Sequence, residues 1–541
     1  MKLLNHLILI TLLLFTVCSY AQSTTIQWQH MYGGENDDNN NYSIHTKDGG
    51  FLMAGNTSSK TGNVTGFYGN TDIWVVKTDS IGNIMWERCY GGWADDYIVG
   101  NDAVKETNDS GYIIAGGTNS DNGDLSLCPT GHICGSIWVI KINRLGDIQW
   151  QKRYGGSHID DAHSIQQTFD GGYVFAGFTT SNDGDVSGIH GSSSSGYYQP
   201  DMWVVKLDDT GSIQWQKCLG GSSNEVANSI MQTTDSGFIV GGHCMSSDGD
   251  VAGHHADSIP NWDNWVVKLN SIGNIEWQRC IGGSSDEDIS NIKQTRDGGY
   301  IYTAYIGAST DGDYKYFTRA NDLYIFKLDR TGNIRWSKNY GGSKGDFAFE
   351  ITELNNAYIA VGGSYSNDGD VKGHYGDTST QDVWIVKIDT VGNLLWNKSV
   401  GGSGRDIGKS VYYVSDSNFV VNAYSESTDG DIKTGINHGG FDYWLLRTDS
   451  AQESTGIAPL CGNSRTINVY PTITDGIVNV RMATVAEPVN IFVTDATGKV
   501  LIENSVHLNS FSLSLANYSP GLYFITIVSD NINSSYKVIK R

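Results

Sequence analysis

A tryptophan recurs seven times at near-constant spacing, and this period limits the fold more than any other feature of the chain. Trp28, Trp86, Trp150, Trp215, Trp277, Trp336 and Trp396 stand 58, 64, 65, 62, 59 and 60 residues apart. Each is followed by a glycine pair, from Gly33-Gly34 to Gly401-Gly402, and then by a turn such as Asp170-Gly171-Gly172 or Asp297-Gly298-Gly299. Each repeat closes on an apolar run like that from Asp201 to Asp208. A fixed period of this kind means stacked supersecondary units sharing one core.

Four strands fit each unit. In the third repeat, IQWQKRY is the first; SIQQTFD and YVFAGF flank an Asp-Gly-Gly turn, a hairpin signal; DMWVVKLD is the fourth. The fourth runs through a short glycine turn into the next Trp strand. WVVKL-type runs are apolar on both faces, as expected where sheets stack on both sides. Radial repetition of four-stranded units predicts an all-β, seven-bladed β-propeller over residues 22–449. An open β-solenoid is the rival, but its coils are usually shorter. Closure favours the propeller. The first repeat opens on a Trp strand, Ile26 to Tyr32, with no fourth strand before it; the last ends on a fourth strand, Asp442 to Asp449, with no Trp strand after it. Pairing these two orphans completes one blade and removes an open edge.

The repeat reads roughly K-L-D-x-x-G-N-x-x-W, then Y-G-G, then D-G-G-Y. Over residues 25–449 it resembles a family of secreted propeller proteins, which implies the fold and little about function. The glycine-turn-Trp hairpin is similar, over a short stretch, to the tryptophan-docking repeats of quinoprotein propellers. Residues 450–466 are polar and unpatterned, a linker that contains Cys461. From Ile467 the chain is strand-like again, with seven short strands that suggest a small Ig-like β-sandwich over 467–541. Val469-Tyr470-Pro471, Asp475-Gly476, Phe492-Val493-Thr494-Asp495, Gly498-Lys499, Pro520-Gly521-Leu522-Tyr523 and the closing Lys537 to Lys540 resemble the type A C-terminal sorting domain of the type IX secretion system. That family more often has Tyr-Pro-Asn-Pro where this chain has Tyr470-Pro471-Thr472-Ile473. The resemblance implies the type IX machinery as partner, export across the outer membrane, and either surface attachment or release.

The chain's start agrees with export. Lys2, the apolar stretch from Leu7 to Val17 and Ser19-Tyr20-Ala21 form a signal peptide over 1–21. Cys18 raises a lipoprotein reading, but Phe15-Thr16-Val17 match it poorly. No later segment is long and apolar enough to span a membrane as a helix. A net charge of −23 excludes nucleic acid as a partner and disfavours anionic lipid. Cys128 and Cys134 lie six apart and are expected to form a local disulfide. Cys89, Cys218 and Cys280 share one repeat position and read as small buried hydrophobes.

Two acidic motifs repeat. Asp38, Asp96, Asp160, Glu225, Glu287, Asp346 and Asp406 stand four past each glycine pair. They suit either a ring of cation-binding carboxylates or acceptors for backbone N–H groups in the turn. Asp-Gly-Asp follows the third strand, as in Asp183/Asp185, Asp248/Asp250 and Asp368/Asp370. These pairs are candidate calcium ligands or plain Asp-Gly turns. In an up-and-down blade, the connections after strands one and three open on the same face. The longest loops collect there, with Tyr197, Tyr198, Trp262, Tyr316, Tyr375, His190, His254, His255 and His374. The five aromatics are the candidate ligand-binding residues, with packing of the loops as the alternative. A His254-His255 metal site is set against a solvated turn, which is favoured. No nucleophile motif or paired-carboxylate signature stands out and no cofactor beyond calcium is expected. The expected role is a non-catalytic surface module binding glycan or protein; a structural protein of the envelope, or a propeller lyase, hydrolase or quinoprotein, are the alternatives.

Overall fold

The computed structural model describes residues 26–127, 135–191, 198–255, 261–307, 311–314, 322–415, 418–433 and 436–449 of the repeat region. Beyond it, residues 467–470, 473–474, 476–482, 489–497, 499–506, 510–529 and 532–540 are described. The expected signal peptide and linker, the Cys128/Cys134 pair, Tyr197 and Tyr316 lie outside these residues. The chain divides into two compact units, the second beginning at Glu453.

Seven antiparallel sheets make up the described part of the first unit, six of them four-stranded. Blade 3 runs Asp160–Gln167, Tyr173–Thr179, Asp201–Leu207 and Ile213–Leu219. The opening strands of blades 1 to 7 begin at Asp38, Asp96, Asp160, Glu225, Glu287, Asp346 and Asp406. Each touches the opening strand of the next blade, and the last touches the first. These strands are therefore innermost, and the ring they close is a seven-bladed β-propeller. The blade is offset from the sequence repeat by one strand: the Trp strand that opens a repeat is the outermost strand of the preceding blade. Ile26–Tyr32 accordingly completes blade 7 beside Asp442–Asp449, pairing Trp28 with Arg447 and Tyr32 with Tyr443.

The repeated tryptophans, those of the outermost strand, are expected to be buried between blades. They do lie between blades. Trp150 meets Tyr173 at 5.6 Å, Trp215 meets Phe238 at 5.7 Å and Trp277 meets Tyr300 at 5.6 Å, each ring packed on the next blade's second strand. But an outermost strand leaves one flank to solvent, so these rings are half-buried; Trp396, 7% exposed, is the buried one. The fully buried indoles belong to the third strand: Trp74, Trp138, Trp203, Trp265, Trp384 and Trp444.

A buried indole needs an acceptor for its N–H. The outermost strand supplies it. Trp203 Nε1 donates to Gln216 Oε1 and Trp265 Nε1 to Gln278 Oε1, both at 2.8 Å. The amide in turn donates to a loop carbonyl, Gln216 Nε2 to Ser187 O at 2.9 Å and Gln278 Nε2 to Ala252 O at 3.0 Å. The Trp-Gln pair of the repeat is thus a bracket across the blade. The Asp-Gly-Gly turns have a similar purpose. Asp170 accepts from Thr168 and from the Gly172 N–H, and pairs with buried Lys206 at 2.9 Å.

The second unit holds a three-stranded and a five-stranded sheet. Val478, Val480 and Leu513 of the first share one core with Ile491, Val493, Ile525 and Ile527 of the second, the packing a β-sandwich requires.

Candidate functional site

Two sets of connections open on the same face: outermost strand to next innermost strand, and second strand to third. The innermost-strand acids stand beneath them. Asp160 accepts from Gly156 N at 2.7 Å, from Ser181 Oγ at 3.0 Å and from Thr179 Oγ1. Asp38 and Asp346 repeat the pattern through Gly34 and Ser59, and through Gly342 and Ser366. All seven acids are buried. They tie one loop to its neighbour, which is the turn-capping role and not an open ring around the channel.

The Asp-Gly-Asp motif completes the same tie. Asp183, Asp248 and Asp368 each accept a backbone N–H at 2.7 Å, from Ser157, Ser222 and Ser343. Asp185, Asp250 and Asp370 accept from Gly155, Gly220 and Gly341 at 3.2–3.4 Å. The central glycine is required: Gly184 has φ +64°, and a Cβ there would fall 2.5 Å from Gly155 O. The first repeat carries the same turn as Thr61-Gly62-Asn63, with Gly62 at φ +70° and Asn63 Oδ1 accepting from Gly33 N. An amide filling the role of the second aspartate shows that the turn itself does not need a charge. Among the described residues, no three His, Cys, Asp or Glu side chains are grouped as a metal would require.

A third acid escaped the sequence reading. Asp72, Asp201, Asp263, Asp382 and Asp442 begin third strands and are buried. Each accepts the backbone N–H of a His or Tyr past the motif: Tyr68, His190, His255 and Tyr375 stand seven residues past its first position, and His438 nine. The imidazoles add a second bond, His190 Nδ1 to Asp201 at 2.7 Å and His255 Nδ1 to Asp263 at 2.8 Å. The pair His254-His255 is therefore no solvated turn; His254 is buried and bonds Asn261 O. The signal was the aromatic or His four past the buried Val or Ile in Val186-Ser-Gly-Ile-His190 and Val251-Ala-Gly-His-His255.

These acids face those of the next blade across the first glycine of each pair. A Cβ on Gly401 would lie 2.7 Å from Asp382 Oδ1 and 2.6 Å from Asp406 Oδ2. Burial, then the Asp406 and Asp431 charges, pushes Asp382 up to about 8. Burial, then Asp96 and Asp124, pushes Asp72 up to about 7. A carboxyl raised in the folded state stabilises it fully below about pH 4 and loses that contribution as pH climbs through 7–8. The turn acids act oppositely. Burial alone would raise Asp48, but Thr46, Gly50 and Lys77 bring it down to about 2, so its contribution is lost only as pH falls below about 4. The melting temperature should peak on the acidic side of neutrality and fall from pH 6 to 9, and Asp382→Asn should flatten that limb. A melting temperature that is constant or rises over this range contradicts the paired-acid account.

The aromatic candidates separate. Tyr198 accepts from Asn182 at 3.3 Å, and Tyr375 is anchored through its backbone on Asp382 with an exposed ring. Trp262, 38% exposed, stacks on His243 with centroids 4.5 Å apart and planes at 12°. His243 Nδ1 lies 2.9 Å from Asp288 Oδ1, which also accepts from Asn228 Nδ2 at 2.7 Å; Asn228 Oδ1 lies 2.9 Å from His163 Nδ1. Trp93, 75% exposed, sits in a loop of the same face and was missed because it takes a place held elsewhere by Ser or Glu.

A second unrepeated cluster lines the innermost strands. Lys105 bonds Asp102, and Lys293 Nζ lies 3.9 Å from the same carboxylate. Tyr42 donates to Glu350 Oε1 at 3.0 Å, and Val411 N donates to Glu350 Oε2 at 3.2 Å. Burial raises Glu350; it would also raise Asp102, but Lys105 and Lys293 hold Asp102 below its ordinary value. Lys409, buried over the Phe349 ring at 3.5 Å, is lowered to about 7 by burial. Extra residues in blade 2, which split its innermost strand into Asp96–Tyr97 and Val104–Glu106, bring in Asp102. That insertion, and Glu350 where other blades have Ser164 or Ser229, were the available signals.

Residues 468–541 match the secretion system C-terminal sorting domain. The chain thus carries the sorting domain of the type IX system, which exports it to the cell surface or beyond. No helix of the described residues is long and apolar enough to cross a membrane. No curated protein matches the chain in sequence. Among solved structures it is similar to PorZ, an essential bacterial surface component of the type-IX secretion system of Porphyromonas gingivalis, at 10% identity and TM-score 0.39, over 94% of this chain and 60% of that one. It is also similar to BamB from Moraxella catarrhalis, at 16% identity and TM-score 0.34, over 84% and 97%. A third likeness is to the Pan2 WD40 domain of Neurospora crassa, at 11% and 0.33, over 64% and 88%. None of these assigns a function to the chain.

Proposed function

We propose that this exported propeller is a non-catalytic recognition module that takes a glycan or protein ligand on its loop-bearing face. The observation that carries the reading is a division of roles on that face. The repeated acids are engaged in holding loops together, while the rings of Trp93, Trp262 and Tyr375 stand exposed among them. Rigid loops with exposed aromatics are what a binding surface needs. The backbone N–H bonds drawn by Asp183, Asp248 and Asp368 support a turn rather than calcium at these loops. The channel cluster supports a structural role, because Asp102 and Glu350 are buried and engaged by Lys105, Tyr42 and Val411. The type IX machinery is the export partner.

An array of glycans and outer-surface proteins probed with the secreted chain tests this reading. Binding to the ligand it reveals should fall on Trp93→Ala or Trp262→Ala and stay unchanged on Phe169→Ala, an exposed ring in a turn of the opposite face. Loss with Phe169→Ala alone would move the site to that face and sink the reading.

A further inference from the structure

Resting on that reading, we infer that Trp262, Asp288 and Tyr305 form a subsite for a neutral oligosaccharide. The three come from two neighbouring blades. Trp262 precedes the third strand of blade 4, while Asp288 on the innermost strand of blade 5 is paired directly with Tyr305 on the second. Directly paired residues of antiparallel strands project from the same sheet face, so Tyr305 stands beside Asp288. Trp262 reaches the same carboxylate from the other blade through His243. Two aromatic rings, 38% and 43% exposed, thus flank one carboxylate whose side chain is 33% exposed.

The bonding state of these groups points to a hydroxylated ligand. Asp288 Oδ1 holds Asn228 and His243, which fixes the carboxylate's orientation, while Oδ2 receives no hydrogen bond from the described residues. The Trp262 Nε1–H has no acceptor among them either. The subsite therefore offers a flat apolar face, a second ring, and an acceptor and a donor that no described residue engages. A pyranose presents a C–H face to stack on an indole and hydroxyls that both donate and accept. The sign of the charge narrows the class. Net charge is −23, and the subsite carboxylate would repel uronate or sulfate groups. The ligand is thus a neutral glycan. His163, next in the chain through Asn228, extends the polar edge toward blade 3 and gives a longer oligosaccharide a second row of contacts.

The test is binding of the full-length secreted protein to immobilised β-glucan, α-mannan and xylan, beside alginate and pectate. At least one neutral polymer should be retained and the two uronate polymers should not. Trp262→Ala should weaken that retention about tenfold, near the limit of one aromatic contact. Asp288→Asn, which keeps the shape and removes the charge, should weaken it less and admit uronates. Tyr305→Ala should fall between. All three side chains are exposed enough that an unchanged melting temperature certifies the fold. A neutral polymer bound equally by all three variants would overturn the subsite and leave the recognition reading in place. Binding of uronates alone would overturn the ligand class. Retention of no polysaccharide, with an outer-surface protein captured instead, would overturn the proposal while preserving the module.

Discussion

Trp203→Ala should destabilise the propeller by about 3–5 kcal/mol, the cost of emptying a fully buried indole site. Trp215→Ala should cost roughly 1–2 kcal/mol, because its half-buried ring returns less apolar surface to water. The two residues sit on adjacent strands of blade 3 only a few residues from one another, so the contrast isolates position rather than residue type. Trp203 has an added cost. Its loss strands Gln216 Oε1, which accepts the indole N–H at 2.8 Å. The chain contains its own control. In blade 5 the equivalent position is Tyr324, and the glutamine that would receive an indole is Ser337. Both members of the bracket change together, as expected if they interact. Trp203→Phe should accordingly cost less than alanine. Denaturant midpoints of the three variants provide the measurement. Equal losses for Trp203→Ala and Trp215→Ala would mean that the outermost strand is as enclosed as the third.

The seven-unit architecture and its closure were readable because they follow from counting: four strands per unit and one orphan at each end. The burial of the tryptophans was not. Periodicity shows that Trp150, Trp215 and Trp277 recur, but the offset between repeat and blade puts their strand at the rim. Trp203 and Trp265 each stand before two valines, and so announced core without revealing that they are its deepest members. The acids divide the same way. Asp160 and Asp183 were found by recurrence, and both accept backbone N–H groups at the loops they join. The third-strand acids Asp201 and Asp382 were passed over because they read as the first residue of an apolar run. Their importance arises only when the ring brings Glu225 and Asp406 of the next blade against them. Channel residues such as Asp102 and Glu350 lie far apart in sequence, and only closure of the ring makes Tyr42 of blade 1 a neighbour of Glu350 in blade 6. Trp262 was identified as an unrepeated loop aromatic; its exposure and its coupling to Asp288 through His243 depend on blade stacking.

Deleting residues 467–541 should remove the protein from the cell surface and medium while leaving a folded propeller in the periplasm. The argument has a recognition half and a physical half. Residues 468–541 match the sorting domain, so the export machinery loses the segment it reads. The expected signal peptide at 1–21 is untouched, so passage across the inner membrane should continue. The physical half is the independence of the two cores. The second unit buries Val480, Ile491, Ile525 and Val538 among its own strands, and the propeller's closing contact is internal, Asp442–Asp449 on Ile26–Tyr32. Truncation therefore exposes no propeller edge. Fractionation with immunoblotting should show near-complete loss of the extracellular and surface pools. The periplasmic product should resist protease and melt as the propeller does in the parent. The converse transfer is the stricter measurement: residues 450–541 placed behind an unrelated folded passenger bearing a signal peptide should send it outside. Normal extracellular levels of the truncated chain would overturn the sorting assignment. A truncated chain that is degraded rather than retained would instead show that the propeller draws stability from the second unit, against the separate cores seen here.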